Sequence, residues 1–104
     1  MTDAQSVLSA LADPVRVEIL DRVAAGSEIT VTQLADVLPM TRQGVTRHVR
    51  TLVEAGLLVG ERGGREHRYR VAANAVSDAQ HWLAQRAAAW DDALDRLARH
   101  LDSS

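Results

Sequence analysis

Residues 29–58 are predicted to form two short helices joined by a tight turn, and this segment constrains the fold more than any other. Pro39 separates the two helices because proline cannot continue a helix. Thr41 is suited to cap the second helix through its hydroxyl, and Gly56 is suited to end it. Apolar residues recur at helical spacing and are expected to face a core: Leu34, Val37 and Leu38 in the first helix, and Val45, Val49, Leu52 and Val53 in the second. The pattern predicts a helix-turn-helix.

The second helix carries long polar and basic side chains on the face opposite its apolar residues. Arginine and glutamine are suited to guanine edges, adenine edges and phosphates. This face is therefore predicted to contact DNA through Thr41, Arg42, Gln43, Thr46, Arg47 and Arg50. His48 lies between this face and the core, and is expected to make a structural or phosphate hydrogen bond.

Charge is distributed unevenly along the chain. The net charge of −2 argues against a DNA-binding protein, because phosphate neutralisation supplies much of the affinity for DNA. Residues 41–70, however, hold seven arginines and three glutamates, a net charge of +4, while the remaining residues carry −6. This segregation predicts one basic face on an acidic body.

The composition excludes several other classes of protein. The chain has no cysteine, so disulfides and thiolate metal sites are excluded. The N-terminal residues lack the basic start and long apolar run of a signal peptide, and no apolar run is long enough to span a bilayer. We therefore expect residues 1–104 to form a single soluble cytoplasmic domain. No catalytic constellation is present, so neither enzymatic activity nor a cofactor is predicted.

The segments flanking residues 29–58 complete the predicted fold. Residues 3–12 have the apolar stripe of a short helix, and Asp13 followed by Pro14 begins a second helix with a wide apolar face. Residues 27–30 are suited to a very short strand. Residues 57–62 and 66–71 alternate like two strands joined at Gly63-Gly64. Helices, helix-turn-helix and hairpin in this order predict a winged helix, mainly α with a small β-hairpin, spanning residues 14–71.

Residues 75–101 form a long predicted helix with an apolar heptad seam. Its apolar surface is wider than one side of a small domain can cover, so it is expected to pack about a two-fold axis in a homodimer. The N-terminal helix is expected to contribute to the same interface. The predicted interface residues are Val7, Leu11, Leu83, Ala87, Trp90, Leu94, Leu97 and Leu101.

Three motifs resemble those of the ArsR/SmtB family of bacterial winged-helix repressors: LSALADPVRVEIL at residues 8–20, TRQGVTRHVRTLVEAGLL at 41–58 and GGREHRYRV at 63–71. The resemblance covers nearly the whole chain. It implies a homodimeric repressor that binds a pseudo-palindromic operator in double-stranded DNA. Matching positions imply that Arg42, Gln43, Thr46 and Arg47 face the groove, with Arg62, Arg65 and Arg68 contributed by the wing.

Three alternatives remain open from the sequence. The family's Cys-x-Cys metal site aligns with Thr30 and Thr32, which cannot supply thiolates, and the spacing of candidate ligands on the last helix fits a metal site poorly. No metal is therefore predicted, and a metal-responsive repressor that uses His and Asp of the last helix is kept as an alternative. Those candidates are Asp78, His81, Asp91, Asp92, Asp95 and His100. Trp82 and Trp90 are expected to pack in the interface, although they are also suited to an apolar effector, whose identity the sequence does not indicate. The runner-up function is a protein-interaction module without DNA binding.

Overall fold

The computed structural model describes residues 4–26 and 28–102, and it confirms the predicted winged helix. The elements in chain order are α1 (Ala4–Ala10), α2 (Pro14–Gly26), β1 (Ile29–Thr30), α3 (Val31–Val37), α4 (Arg42–Glu54), β2 (Leu58–Gly63), β3 (Glu66–Val71) and α5 (Ala73–Asp102). Asp3 of the predicted first helix and Ser27 of the predicted short strand lie outside the described residues. No helix in the described part combines the length and apolar content needed to cross a membrane.

Asp13 and Arg16 fix the junction between α1 and α2. The Asp13 carboxylate caps α2 by accepting hydrogen bonds from the backbone N–H of Val15 (2.8 Å) and of Arg16 (3.4 Å). The Arg16 guanidinium reaches back to α1, where it donates to the carbonyl of Ala10 (2.6 Å) and that of Ser9 (3.3 Å). One side chain of α2 thus satisfies carbonyls at the C-terminus of α1, which the sequence pattern did not indicate.

The helix-turn-helix is formed by α3 and α4, and each helix begins at a threonine. The Thr30 hydroxyl accepts from the backbone N–H of Gln33 (3.1 Å), and the Gln33 side chain accepts from the backbone N–H of Thr30 (2.9 Å), which is a capping box. Thr41 caps α4, as predicted, by accepting from the backbone N–H of Gly44 (3.0 Å). Both helices therefore begin where their side chains can replace missing backbone partners.

The C-terminus of α4 closes in a Schellman motif. Gly56 has a φ of +81°, and its N–H donates to the carbonyl of Val53 (3.0 Å). The Leu57 N–H donates to the carbonyl of Leu52 (2.9 Å). The predicted role of Gly56 is confirmed, because the left-handed region favours glycine.

Three antiparallel strands form the wing and its base, in the order β1-β3-β2. The β2–β3 hairpin pairs Leu58 with Val71 at its base and Gly63 with Glu66 at its tip. The predicted turn at Gly63-Gly64 is wrong by one residue, because Gly63 is still paired and the two-residue turn is Gly64-Arg65. Gly64 takes the left-handed conformation, with φ of +66°, that reverses the chain.

The core lies where α1, α2, α3 and α4 meet the base of the hairpin and the start of α5. Its buried apolar residues are Val7, Ala10, Ile19, Val23, Leu34, Leu38, Val45, Val49, Leu52, Ala55, Leu57, Leu58, Ala75 and Ala79. Two predicted core residues lie instead at its edge, namely Val37 and Val53, which are 50% and 39% exposed. Their helices present wider apolar faces than the neighbouring elements cover.

The last helix, α5, extends well beyond the core. Ala75 and Ala79 are buried in its first part, where α1 packs against it. At 1.5 Å per residue its 30 residues span about 45 Å. Its C-terminal half is exposed, including Trp90 (62%) and Leu94 (61%). Among residues 4–26 and 28–102 of one chain, no apolar surface covers this half of α5.

Candidate nucleic-acid interface

The outward face of α4 forms a shallow groove bordered by arginine. Because Val45, Val49 and Leu52 are buried on one side of the helix, the polar residues project from the other. The groove is lined by Arg42, Gln43, Thr46, Arg47 and Arg50, all of them exposed and all predicted from the sequence. Thr41 is also exposed and caps the same helix.

The wing adds a second set of arginines beside the N-terminus of α4. Arg65 in the hairpin turn and Arg68 on β3 line a cleft together with Arg42. Arg65 and Arg42 also line a neighbouring cleft with Thr46 of α4. The structure therefore brings two of the three predicted wing residues next to α4.

Arg62, the third predicted wing residue, is exposed but lines neither of these clefts. It pairs with His67, so the two share one face of the hairpin, whereas Arg68 pairs with Glu61 on the other face. His67 is exposed and stacks on Tyr69 with ring centroids 6.4 Å apart.

Glu66 joins the wing to the helix-turn-helix and was not singled out by the sequence pattern. Its Oε1 atom accepts a hydrogen bond from the Thr32 hydroxyl at the start of α3. The same oxygen lies 3.4 Å from a terminal guanidinium nitrogen of Arg42. No periodicity in the sequence predicts these two contacts, because Glu66 lies 34 positions from Thr32 and 24 positions from Arg42.

The other arginines of this surface differ from Arg42. Five of them form no ion pair within 4.0 Å among residues 4–26 and 28–102. They are Arg47, Arg50, Arg62, Arg65 and Arg68. Arg70, on the same face of the hairpin as Arg68, pairs with Glu61 at 3.6 Å. The surface therefore presents five guanidinium groups without an internal counter-charge.

His48 is half-buried on the inner flank of α4, and it lies close enough to Asp13 to lower the pKa of the Asp13 carboxyl. The pKa of the Asp13 carboxyl is lowered from its ordinary value of 3.8, chiefly by the backbone N–H of Val15. The backbone N–H of Arg16 and the positive charges of His48 and Arg16 act in the same direction, against an opposing effect of desolvation. His48 does not line the α4 groove.

The two threonines that align with the family's Cys-x-Cys site have structural roles here. Thr30 is buried and caps α3, while Thr32 donates to Glu66. In the part of one chain that the structure describes, no three His, Cys, Asp or Glu side chains are close enough to hold a metal ion together.

A mainly apolar cleft of about 330 Å³ lies between α1, α2 and α5. Aliphatic side chains such as Leu8, Leu11 and Leu83 line it. Val7, predicted at a dimer interface, also borders the cleft but is itself fully buried and belongs to the core of the single chain. Trp82 lies outside the cleft lining, beneath the Arg86 guanidinium at 4.2 Å from its ring centroid.

Comparisons with known proteins agree with this geometry. Residues 11–61 match the model of a family described as a helix-turn-helix domain. The chain is 41% identical over 69 residues to the transcriptional repressor SmtB of Mycobacterium tuberculosis, covering 66% of this chain and 50% of that protein. The chain thus spans about half the length of the curated relatives it matches.

Two solved structures extend the likeness. An ArsR-like transcriptional regulator from Rhodococcus sp. RHA1 superimposes with a TM-score of 0.79 at 32% identity, over 90% of this chain and 88% of that one. A homodimeric winged helix-turn-helix DNA-binding domain, Mb0332 of Mycobacterium bovis, gives a TM-score of 0.62 at 28% identity, over 85% and 78%. Fold and surface define a winged helix-turn-helix protein. The chain belongs to the ArsR/SmtB family of such regulators.

Proposed function

We propose that the protein is a sequence-specific transcriptional repressor that binds a pseudo-palindromic operator in double-stranded DNA as a homodimer, in the cytoplasm. The observation that carries the proposal is the α4 groove, where arginine and glutamine side chains project from a helix whose other face is locked in the core. A helix held in this way is suited to insertion in a major groove. The proposal assigns no catalytic role to the chain.

In this proposal α4 is the recognition helix. Arg47 and Arg50 have no ion pair in the described part of the chain, so their donors are available to guanine edges or phosphates. Gln43 is suited to an adenine edge. Arg65 and Arg68 lie beside the N-terminus of α4, where they would hold the DNA backbone and fix the register of the helix.

The exposed C-terminal half of α5 supports the homodimer. Leu83, Leu94, Leu97 and Leu101, together with Trp90, are 43–63% exposed and follow the heptad spacing of the helix. Leu11 is exposed beside the same helix and would extend the interface across the apolar cleft. Two winged helices related by a two-fold axis would present their recognition helices to major grooves about 34 Å apart.

The test is selection of bound fragments from a random duplex library by the purified protein, followed by affinity measurements at several salt concentrations. We expect an inverted repeat with half-sites about 10 base pairs apart, and affinity that falls steeply with salt. Absence of any enriched sequence would contradict the proposal and favour an interaction module that retains the scaffold without reading DNA.

A further inference from the structure

Glu66 carries a negative charge within a mainly basic surface. Three adjoining clefts share Arg42 as a lining residue. One lies along α4, one lies between α4 and the wing, and one lies beside the tip of the hairpin. Among the residues lining these three clefts, Glu66 is the one carboxylate, and it lines two of them. A negative charge at this place opposes the binding of phosphates, so it calls for an explanation.

Two contacts determine where the Glu66 carboxylate lies. Thr32 donates to its Oε1 atom from the start of α3, and Arg42 approaches the same atom at 3.4 Å from the first turn of α4. Glu66 is itself fixed by backbone pairing with Gly63 at the tip of the hairpin. The carboxylate is therefore held by side chains from α3 and α4, on a residue that the hairpin fixes.

Stability alone does not account for the Glu66–Arg42 pair. The side chains of Arg42 and Glu66 are 65% and 44% exposed, and ion pairs this exposed contribute little to folding. The contact with Glu66 instead restricts the side-chain conformations that Arg42 can adopt. A guanidinium has five donors in a planar fork, so contact with Glu66 through one nitrogen orients the remaining donors.

We infer that Glu66 is a positioning residue that sets sequence specificity through Arg42, by holding this side chain for base reading and away from indiscriminate phosphate contacts. The inference rests on the proposed function. An unrestrained arginine binds any phosphate within reach, which raises non-specific affinity without adding discrimination. An arginine tethered by Glu66 gains most where a base edge meets its free donors, so the difference in affinity between operator and other DNA is widened.

Glu66→Gln tests this role because glutamine keeps the shape of the side chain and a carbonyl acceptor for Thr32 but removes the charge. Affinity is measured by fluorescence anisotropy for the selected operator and for a scrambled duplex of equal length, across a range of salt concentrations. We expect affinity for the scrambled duplex to rise by up to about eightfold at 0.1 M salt. This is the gain in affinity when one more phosphate is neutralised and its counterion is released from the DNA. We expect the ratio of operator to scrambled affinity to fall about fivefold or more.

Glu61→Gln is the matched control. It removes one negative charge from the same hairpin, but Glu61 contacts Arg70 and lines none of the three clefts. We expect this variant to leave the affinity ratio unchanged. An equal fall of the ratio in both variants would show that net charge alone is responsible and would overturn the inference.

A double-mutant comparison identifies the partner. In an Arg42→Ala background, Glu66→Gln should no longer reduce the affinity ratio, because the positioned group is already absent. A full reduction in that background would overturn the positioning role. If the wild-type protein discriminates between the duplexes and Glu66→Gln discriminates equally well, the inference alone fails; if the wild type binds no duplex preferentially, the proposed function fails with it.

Discussion

Single arginines of the recognition helix differ in how freely they can engage DNA. Arg42 is held by Glu66, whereas Arg47, one turn further along α4, has no ion pair in the described part of the chain. A guanidinium that already has a counter-charge gains less from a phosphate than one that has none. Arg47 should therefore contribute strongly to operator binding.

Arg47→Ala should weaken operator binding by about 1–3 kcal/mol while leaving the folded dimer intact, because the side chain projects away from the core. Anisotropy titrations would measure the affinity, and sedimentation would measure the dimer. Arg22→Ala is the control, since Arg22 pairs with Glu18 on α2 and lines none of the three clefts of the DNA surface. Equal losses in the two variants would contradict the role of α4.

Asp13 gives a pH-dependent prediction at the same scale. Its pKa is lowered in the folded chain, chiefly by the Val15 N–H, so its ionised form stabilises the fold at pH above 3.8. This contribution is lost as the pH falls through the folded-state pKa. Asp13→Asn keeps a capping oxygen but cannot ionise.

The comparison is made by urea unfolding of the wild type and Asp13→Asn at a series of pH values. The wild type should be the more stable at pH 7, and the difference should disappear as the pH falls below 3.8. A difference that stays constant from pH 7 to below pH 3 would show that the carboxylate charge has no part in the cap.

At the scale of elements, caps and spacing predicted the order of the helices and the hairpin. Thr41 and Gly56 lie where local chemistry requires them, so α4 could be delimited closely from its own residues. The hairpin turn was displaced by one residue, because two consecutive glycines fit a turn equally well and only the strand pairing decides between them. Local signals locate an element, whereas its register depends on its partner.

Burial and long-range contacts were less accessible from the pattern. Val53 has the correct period for a core residue but is 39% exposed. The arginine face could be predicted because it follows from a single helix. Glu66 and Arg16 could not, since their partners lie on other elements. Periodicity describes one helix and contains no information on which neighbour reaches it.

The long helix α5 provides the prediction at this scale. Leu94→Glu places a charge in the proposed seam, where burial without a partner is strongly unfavourable. Because Leu94 is 61% exposed in the single chain, the substitution should give monomers that keep the folded winged-helix core rather than unfolded chains. Sedimentation measures assembly, and circular dichroism measures folding.

Gln85→Glu is the control for Leu94→Glu, since it introduces the same group on α5 outside the heptad seam. This variant should remain dimeric. A Leu94→Glu protein that is as dimeric as the wild type would exclude the seam from the interface.

At the scale of the whole molecule, the basic surface and the acidic remainder have opposite signs. Residues 41–70 carry +4 and the rest −6, so the chain has a strong charge asymmetry despite a net charge of only −2. Such a distribution turns the recognition helix toward a phosphate backbone before contact and keeps the remaining surface away from it. In the proposed dimer, the charge asymmetry would orient the protein so that both recognition helices face the DNA as it approaches.

The exposed C-terminal half of α5 makes the folding of this segment depend on the concentration of the protein. A helix segment with no apolar surface to pack against is marginal in water, and a second copy would supply that surface. Its order would then follow the law of mass action, and thermal stability would rise with protein concentration. On dilution below the dimer dissociation constant, loss of the paired recognition helices would lower operator occupancy more steeply than a simple binding curve. If the protein is the proposed dimeric repressor, modest changes in its amount would change repression sharply.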